Sequence, residues 1–311
     1  MTAGTPPVIH IRSLTKSYGG HQALFGVDME VRAGEVFGFL GPNGAGKSTT
    51  IRILLDLIRR SGGEVNVLGR DPRADGVEVR RQVGYLPGEM AMSSRRPARE
   101  LLTYLGNLRG GVDRRRIDEL AGRLDLDLSR PVRGLSKGNK QKVGLVQAFM
   151  HEPRLLILDE PTSGLDPLLQ QEFLAMVREV RGDGRTVFMS SHVLSEVQDA
   201  ADRAAIIRAG RIVALEDMDA LRERTSRRIT ITFADRVAPE EFASAGGVRD
   251  LSVEGDTLRC TVDGSPDALV KAAARHTVLS LDSEEPDLEE LFFTHYANGA
   301  HAERTGRHAA A

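Results

Sequence analysis

The segment from residue 35 to residue 60 constrains the fold more than any other part of the chain. EVFGFL at 35–40 is a nearly continuous apolar run, as in a parallel strand buried on both faces. Gly41-Pro42-Asn43-Gly44-Ala45-Gly46-Lys47-Ser48-Thr49 follows, and STTIRILLDLI then carries apolar residues at helical spacing. The loop fits G-x-x-x-x-G-K-[ST] with a strand before it and a helix after it, the context that gives the pattern meaning. Its glycines let backbone N–H groups turn inward and cradle phosphate oxygens. The helix that starts near Lys47 adds its positive end. Lys47 is then placed to reach the terminal phosphates of a nucleotide, and Ser48 to bind Mg²⁺.

The rest of the chain reads as an α/β core followed by a smaller unit. Strands are expected at 8–13, 27–32, 63–69, 82–86, 155–159, 185–190 and 204–208. Helices are expected at 97–108, 114–124, 136–150, 167–181 and 193–201, which gives the alternation of a largely parallel sheet. A charged helical stretch near 217–227 marks a change. From 228 the order is strand, short helix, strand, strand, helix, strand, the βαββαβ ferredoxin-like pattern, with Gly255-Asp256 as a hairpin turn. An amphipathic helix, PDLEELFFTHYA, closes this unit. The expected domains are 8–217, with a helical subdomain at about 90–150, a linker at 218–227, and an α+β accessory domain at 228–297. A disordered tail is expected at 298–311.

Composition narrows the partners. The 311 residues suffice for one large and one small domain. A net charge of −2 gives no basic field for nucleic acid. One cysteine, Cys260, leaves no intramolecular disulfide and no Cys-based metal site, and fits a reducing compartment as a buried strand residue. The start, MTAGTPPVIH, has neither the basic nor the apolar region of a signal peptide. No apolar run approaches the ~20 residues of a spanning helix, so a membrane process would need another polypeptide. Lysine occurs only at 16, 47, 137, 140, 142 and 271 in an arginine-dominated chain. Lys47 therefore stands out, because a phosphate loop wants a compact ammonium. The cluster at 137–142 has a functional and an incidental reading, between which the sequence does not choose.

Three further segments carry chemistry. LLILD at 155–159 is an apolar strand ending in a carboxylate, where an open parallel sheet holds its ligands, so Asp159 is placed for Mg²⁺. Glu160 follows and is positioned to polarise an attacking water. In LSKGNKQK at 135–142, Ser136 is a good N-cap and Gly138 permits close approach to backbone N–H groups. This second anion-seeking helix start points to a site shared between two chains. Ser190-Ser191-His192 ends another apolar strand, with His192 able to touch a terminal phosphate or the catalytic carboxylate.

The order of these motifs resembles that of ATP-binding-cassette (ABC) ATPases over roughly residues 8–297. Residues 41–48 are similar to the Walker A loop, 155–160 to the Walker B strand with its catalytic glutamate, and 135–139 to the signature motif, here LSKGN. Ser163-Gly164-Leu165-Asp166 resembles the D-loop, His192 the switch histidine, and Tyr18 the aromatic that stacks on adenine. One position departs: Gly88 stands where the family has a metal-contacting glutamine, so Glu89 or a water is expected to take over that contact. The resemblance implies an ABC-type P-loop nucleotide-binding domain with a helical subdomain, using ATP and Mg²⁺ in a dimer of two copies. Ser136 and Gly138 of one copy would meet the nucleotide held by the other.

LSKGNKQK, the C-terminal extension and EPDLEELFF resemble ATPase subunits of antibiotic and multidrug exporters of the daunorubicin and tetronasin types. The implied partner is an integral membrane subunit that holds the chain at the cytoplasmic face of the cell membrane. The alternatives are an importer subunit or a lipid or polymer exporter. For the extension, a role in steadying the dimer or contacting the partner stands level with simple packing.

Overall fold

The computed structural model describes residues 6–90, 92, 94–224, 226–243 and 245–284. The chain divides into two compact units, the first ending at Glu216 and the second beginning at Asp217.

The first unit opens with β1 (Ile9–Tyr18), β2 (His21–Val31) and β3 (Val36–Leu40), then α1 (Lys47–Leu54), β4 (Gly62–Val67), α2 (Gly76–Arg81) and β5 (Val83–Leu86). A helical segment follows, with α3 (Ala98–Leu108), α4 (Arg114–Arg123), a 3₁₀ turn at Val132–Gly134 and α5 (Lys137–Phe149). It continues as β6 (Leu155–Asp159), α6 (Pro167–Gly182), β7 (Thr186–Ser191), α7 (Leu194–Ala200), β8 (Arg203–Arg208) and β9 (Arg211–Asp217). Among the described residues these strands form a three-stranded antiparallel sheet, β2-β1-β4, and a six-stranded sheet, β5-β6-β7-β3-β8-β9.

The larger sheet is parallel from β5 to β8. Its central strands are buried along their whole length, so they read as VFGFL, LLILD and TVFMSS rather than as alternating patterns. Phe188 of β7 packs against Phe37 and Phe39 of β3, with ring centroids 5.9 and 5.4 Å apart. Register then decides where the loops fall. Leu40 pairs with Ser191, Asp159 with Ser190, and Leu86 with Leu158. The carboxyl ends of β3, β7, β6 and β5 therefore finish at one edge of the sheet, where an open α/β sheet gathers its ligands.

The helices start where side chains satisfy their orphan N–H groups. Asp113 accepts from Arg115 N, Ser136 from Asn139 N, and Asp166 from Leu169 N ahead of Pro167 at the first helical position. Helix α5 lies so close to β5 that a Cβ at Gly84 would meet the Ala148 carbonyl oxygen at 2.1 Å.

The second unit comprises α8 (Met218–Arg224), β10 (Ser226–Phe233), α9 (Glu240–Ala243), β11 (Val248–Glu254), β12 (Thr257–Asp263), α10 (Asp267–Ala273) and β13 (Val278–Glu284). The strand order β11-β12-β10-β13 with antiparallel pairing is that of a βαββαβ ferredoxin-like sheet. Gly255, at φ 69°, makes the hairpin turn between β11 and β12. Ile229, Ile231, Phe233, Phe242, Leu258 and the buried Cys260 belong to the core of this unit.

The stretch 218–227, expected as a charged helical linker, holds α8 in keeping with that reading, and β10 begins two residues before the expected 228. Tyr18 is the last residue of β1 rather than a loop residue after it, since pairing with β2 continues past polar Lys16 and Ser17 through register shifts. The helix expected at 286–297 and the tail 298–311 lie outside the described residues.

Candidate functional site

An open cleft of about 600 Å³ lies at the carboxyl edge of the parallel sheet. Pro42, Asn43, Gly44, Gly46, Lys47, Ser48 and Thr49 line it from the loop after β3. Asp159 and Glu160 line it from the end of β6, and Gly88 and Glu89 from the segment after β5. Arg52, the residues His21, Gln22, Ala23 and Phe25 of β2, and Ala209 and Gly210 after β8 complete the wall. Gly41 and Ala45 shape the loop from behind. A Cβ at Gly41 would lie 2.3 Å from the Ile207 carbonyl oxygen, and Ala45 O accepts from Gly210 N at 2.9 Å. Gly46 has φ 113°, and a Cβ there would lie 2.7 Å from Leu24, so glycine is required where the helix begins.

Lys47 is 5% exposed. Its ammonium donates to Gly41 O at 2.5 Å and pairs with Glu160 Oε1 at 3.1 Å. The other carboxylate oxygen of Glu160 lies 2.6 Å from His192 Nδ1. Lys47 from the start of α1, Glu160 from the end of β6 and His192 from the end of β7 thus form one chain of polar contacts. Glu160 sits at φ 51°, a left-handed conformation that costs a non-glycine residue about 1–2 kcal/mol. Its amide is held by Ser190, through the carbonyl at 3.2 Å and the hydroxyl at 3.1 Å.

Asp159 is almost wholly buried and accepts from Ser190 Oγ at 2.6 Å through Oδ1. Its other oxygen faces Gly88, whose Cβ, were there one, would be 3.2 Å away. The glycine therefore leaves this oxygen uncovered, while Glu89 stands exposed at the cleft wall.

Other residues singled out by sequence stand outside the cleft. Tyr18 is 46% exposed, with the Lys16 ammonium 4.5 Å over its ring, although its hairpin partner His21 lines the cleft. Ser136 and Gly138 lie at the start of α5, away from the cleft-lining set. Ser136 Oγ accepts from both Asn139 N and Asn139 Nδ2, which leaves its own proton free to donate. A Cβ at Gly138 would meet Gly164 O at 2.6 Å, so this glycine admits the loop 163–166 of its own chain.

Two polar side chains escape a sequence reading. Gln141 of α5, 3% exposed, donates to the carbonyls of Glu160 and Pro161 at 3.1 and 3.0 Å. Glu196 of α7 accepts from Thr162 Oγ1 and Ser191 Oγ, each at 2.6 Å. It thereby ties the segment after Glu160 to the residue before His192. A polar residue on the inward face of an amphipathic helix is the one trace either leaves in the sequence.

The family whose description is ABC transporter matches residues 24–163. The linearmycin resistance ATP-binding protein LnrL of Bacillus subtilis (strain 168) is 30% identical over 92% of this chain and 97% of its own length. The daunorubicin resistance ATP-binding protein DrrA3 of Streptomyces coeruleorubidus is 38% identical over 70% of each chain. A solved structure described as the ATP binding subunit of an ABC transporter superposes with a TM-score of 0.64 at 31% identity, over 69% of this chain and 92% of that one. The cleft, the phosphate-loop geometry and these likenesses agree: the chain belongs to the ABC transporter family, as an ATP-binding and ATP-hydrolysing subunit.

Proposed function

We propose that this subunit is the motor of a drug or antibiotic exporter and that Glu160 is the general base of its hydrolytic step. The observation that carries the site reading is the Glu160 carboxylate held between Lys47 and His192 at the end of the phosphate-loop cleft. Lys47 and the backbone of 41–49 bind the phosphates of ATP. Ser136 and Gly138 of a second copy close over the γ-phosphate, with the free Ser136 proton as a donor. Glu160 then takes a proton from water as it attacks in line, and His192 orients the carboxylate. Tyr18 stacks on the adenine.

Mg²⁺ fits the donor set. The free oxygen of Asp159 and the Ser48 hydroxyl are hard ligands. The ion would take most of its other ligands from phosphates and water. Glu89, beside Gly88, or a water replaces the family's glutamine at the ion. Bound there, the metal would supply charge neutralisation on the phosphate oxygens.

Export rather than import is supported by the linearmycin and daunorubicin resistance proteins among the relatives. No helix among the described residues is long and apolar enough to cross a membrane. The membrane path belongs in this reading to a separate integral subunit, which holds this chain at the cytoplasmic face. Glu160→Gln tests the base: the variant should bind ATP and lose at least ~100-fold in kcat. Wild-type turnover in Glu160→Gln would remove Glu160 from that role.

A further inference from the structure

We infer that Gln141 is a positioning residue for hydrolysis, tying helix α5 to the backbone of Glu160; this rests on the reading of Glu160 as the base. Glu160 is fixed from three directions. Its amide is held by Ser190 of β7, and its carboxylate by Lys47 and His192. Its carbonyl is held by the Gln141 side chain, whose amide nitrogen has two protons for the two carbonyls of Glu160 and Pro161. The first two anchors come from residues at the ends of the sheet strands and at the start of α1. Gln141 alone of these anchors comes from the helical segment between β5 and β6.

Helix α5 begins at Ser136, which is exposed, and reaches Gln141 one turn further in, where the side chain is buried. The same helix start touches the loop after Glu160 through the close approach of Gly138 and Gly164. A displacement of the α5 N-terminus is thus delivered to the residue that carries the base, through a hydrogen bond to its own peptide group. Glu160 holds a left-handed φ, so its carboxylate direction depends on that peptide staying in place. Misplacing a reacting group by about 1 Å costs on the order of 10²-fold in rate. The phosphate loop itself lies between β3 and α1, so this link reaches a bound nucleotide only through the Lys47–Glu160 pair.

The test uses the full chain with Gln141→Leu, which removes both donors at similar volume, and Gln141→Glu, which puts an acceptor against the two carbonyls. ATPase kinetics, equilibrium binding of ATP with Mg²⁺ and thermal melting are compared with wild type and with Glu160→Gln. Each folded variant should lose roughly tenfold or more in kcat with no loss of ATP affinity. A folded variant with wild-type kcat overturns the inference, and so does a parallel loss of kcat and ATP affinity, which marks simple structural damage. If the Gln141→Leu chain fails to fold, the Gln141→Glu variant decides by the same split. Turnover retained by Glu160→Gln overturns the base assignment instead, whereas an inactive Glu160→Gln beside an active Gln141→Leu overturns the role of Gln141 alone.

Discussion

At the scale of single residues, the Lys47–Glu160 contact has a consequence for affinity. The ammonium proposed to bind the phosphates is paired with the carboxylate at 3.1 Å in a largely buried place. Glu160→Gln removes the charge that competes for Lys47. The variant should bind ATP up to about tenfold more tightly, which is about 1.4 kcal/mol, measurable by isothermal titration; unchanged or weaker binding would count against the competition. His151 gives a pH signature away from the cleft. Burial, helped by the charge of Arg109, pushes its imidazole down from 6.5 to about 4. Between those values the unfolded chain binds the proton and the folded chain does not, so stability falls as pH drops from about 6.5 to about 4. His151→Gln should lose less stability than wild type between about pH 7 and about pH 5. The difference should be about 1 kcal/mol, allowing for solvent screening of a half-buried group, and denaturant titrations at the two pH values read it directly.

At the scale of elements, Glu196 links α7 to both loops that flank the polar chain. Replacing it with leucine frees Thr162 and Ser191 together. A roughly tenfold fall in kcat with KM unchanged is expected, and a rise in KM alone would show that Glu196 serves binding instead. The phosphate loop was legible because its glycines and lysine lie within one short run, 41–49, whose strand and helix flanks are unambiguous. The parallel strands were legible because burial on both faces leaves an unbroken apolar run, and the second unit because Gly255-Asp256 and flanking alternation define its central hairpin. Strand β9 was not legible: Val213 and Leu215 point outward, so its apolar residues do not mark a buried face. The length of β1 was hidden because pairing with β2, not local composition, carries Lys16 and Ser17 into the strand. Gln141 meets its partners 19 and 20 positions away and Glu196 meets Thr162 34 positions away, distances that no local pattern encodes.

At the scale of the whole molecule, the residues of the proposed site fall into two sets on one chain. The cleft gathers Lys47, Ser48, Asp159 and Glu160, while Ser136 and Gly138 stand outside it at the start of α5. The account makes the functional unit two copies, each completing the other's site, with ATP as the joining ligand. Sedimentation of the Glu160→Gln chain, with and without ATP and Mg²⁺, tests this most directly when paired with the same chain carrying Gly138→Asp. The account predicts a monomer that becomes a dimer on adding ATP, and a Gly138→Asp chain that binds ATP yet stays monomeric. An ATP-bound Glu160→Gln chain that remains a monomer, or a dimer indifferent to Gly138→Asp, would contradict it.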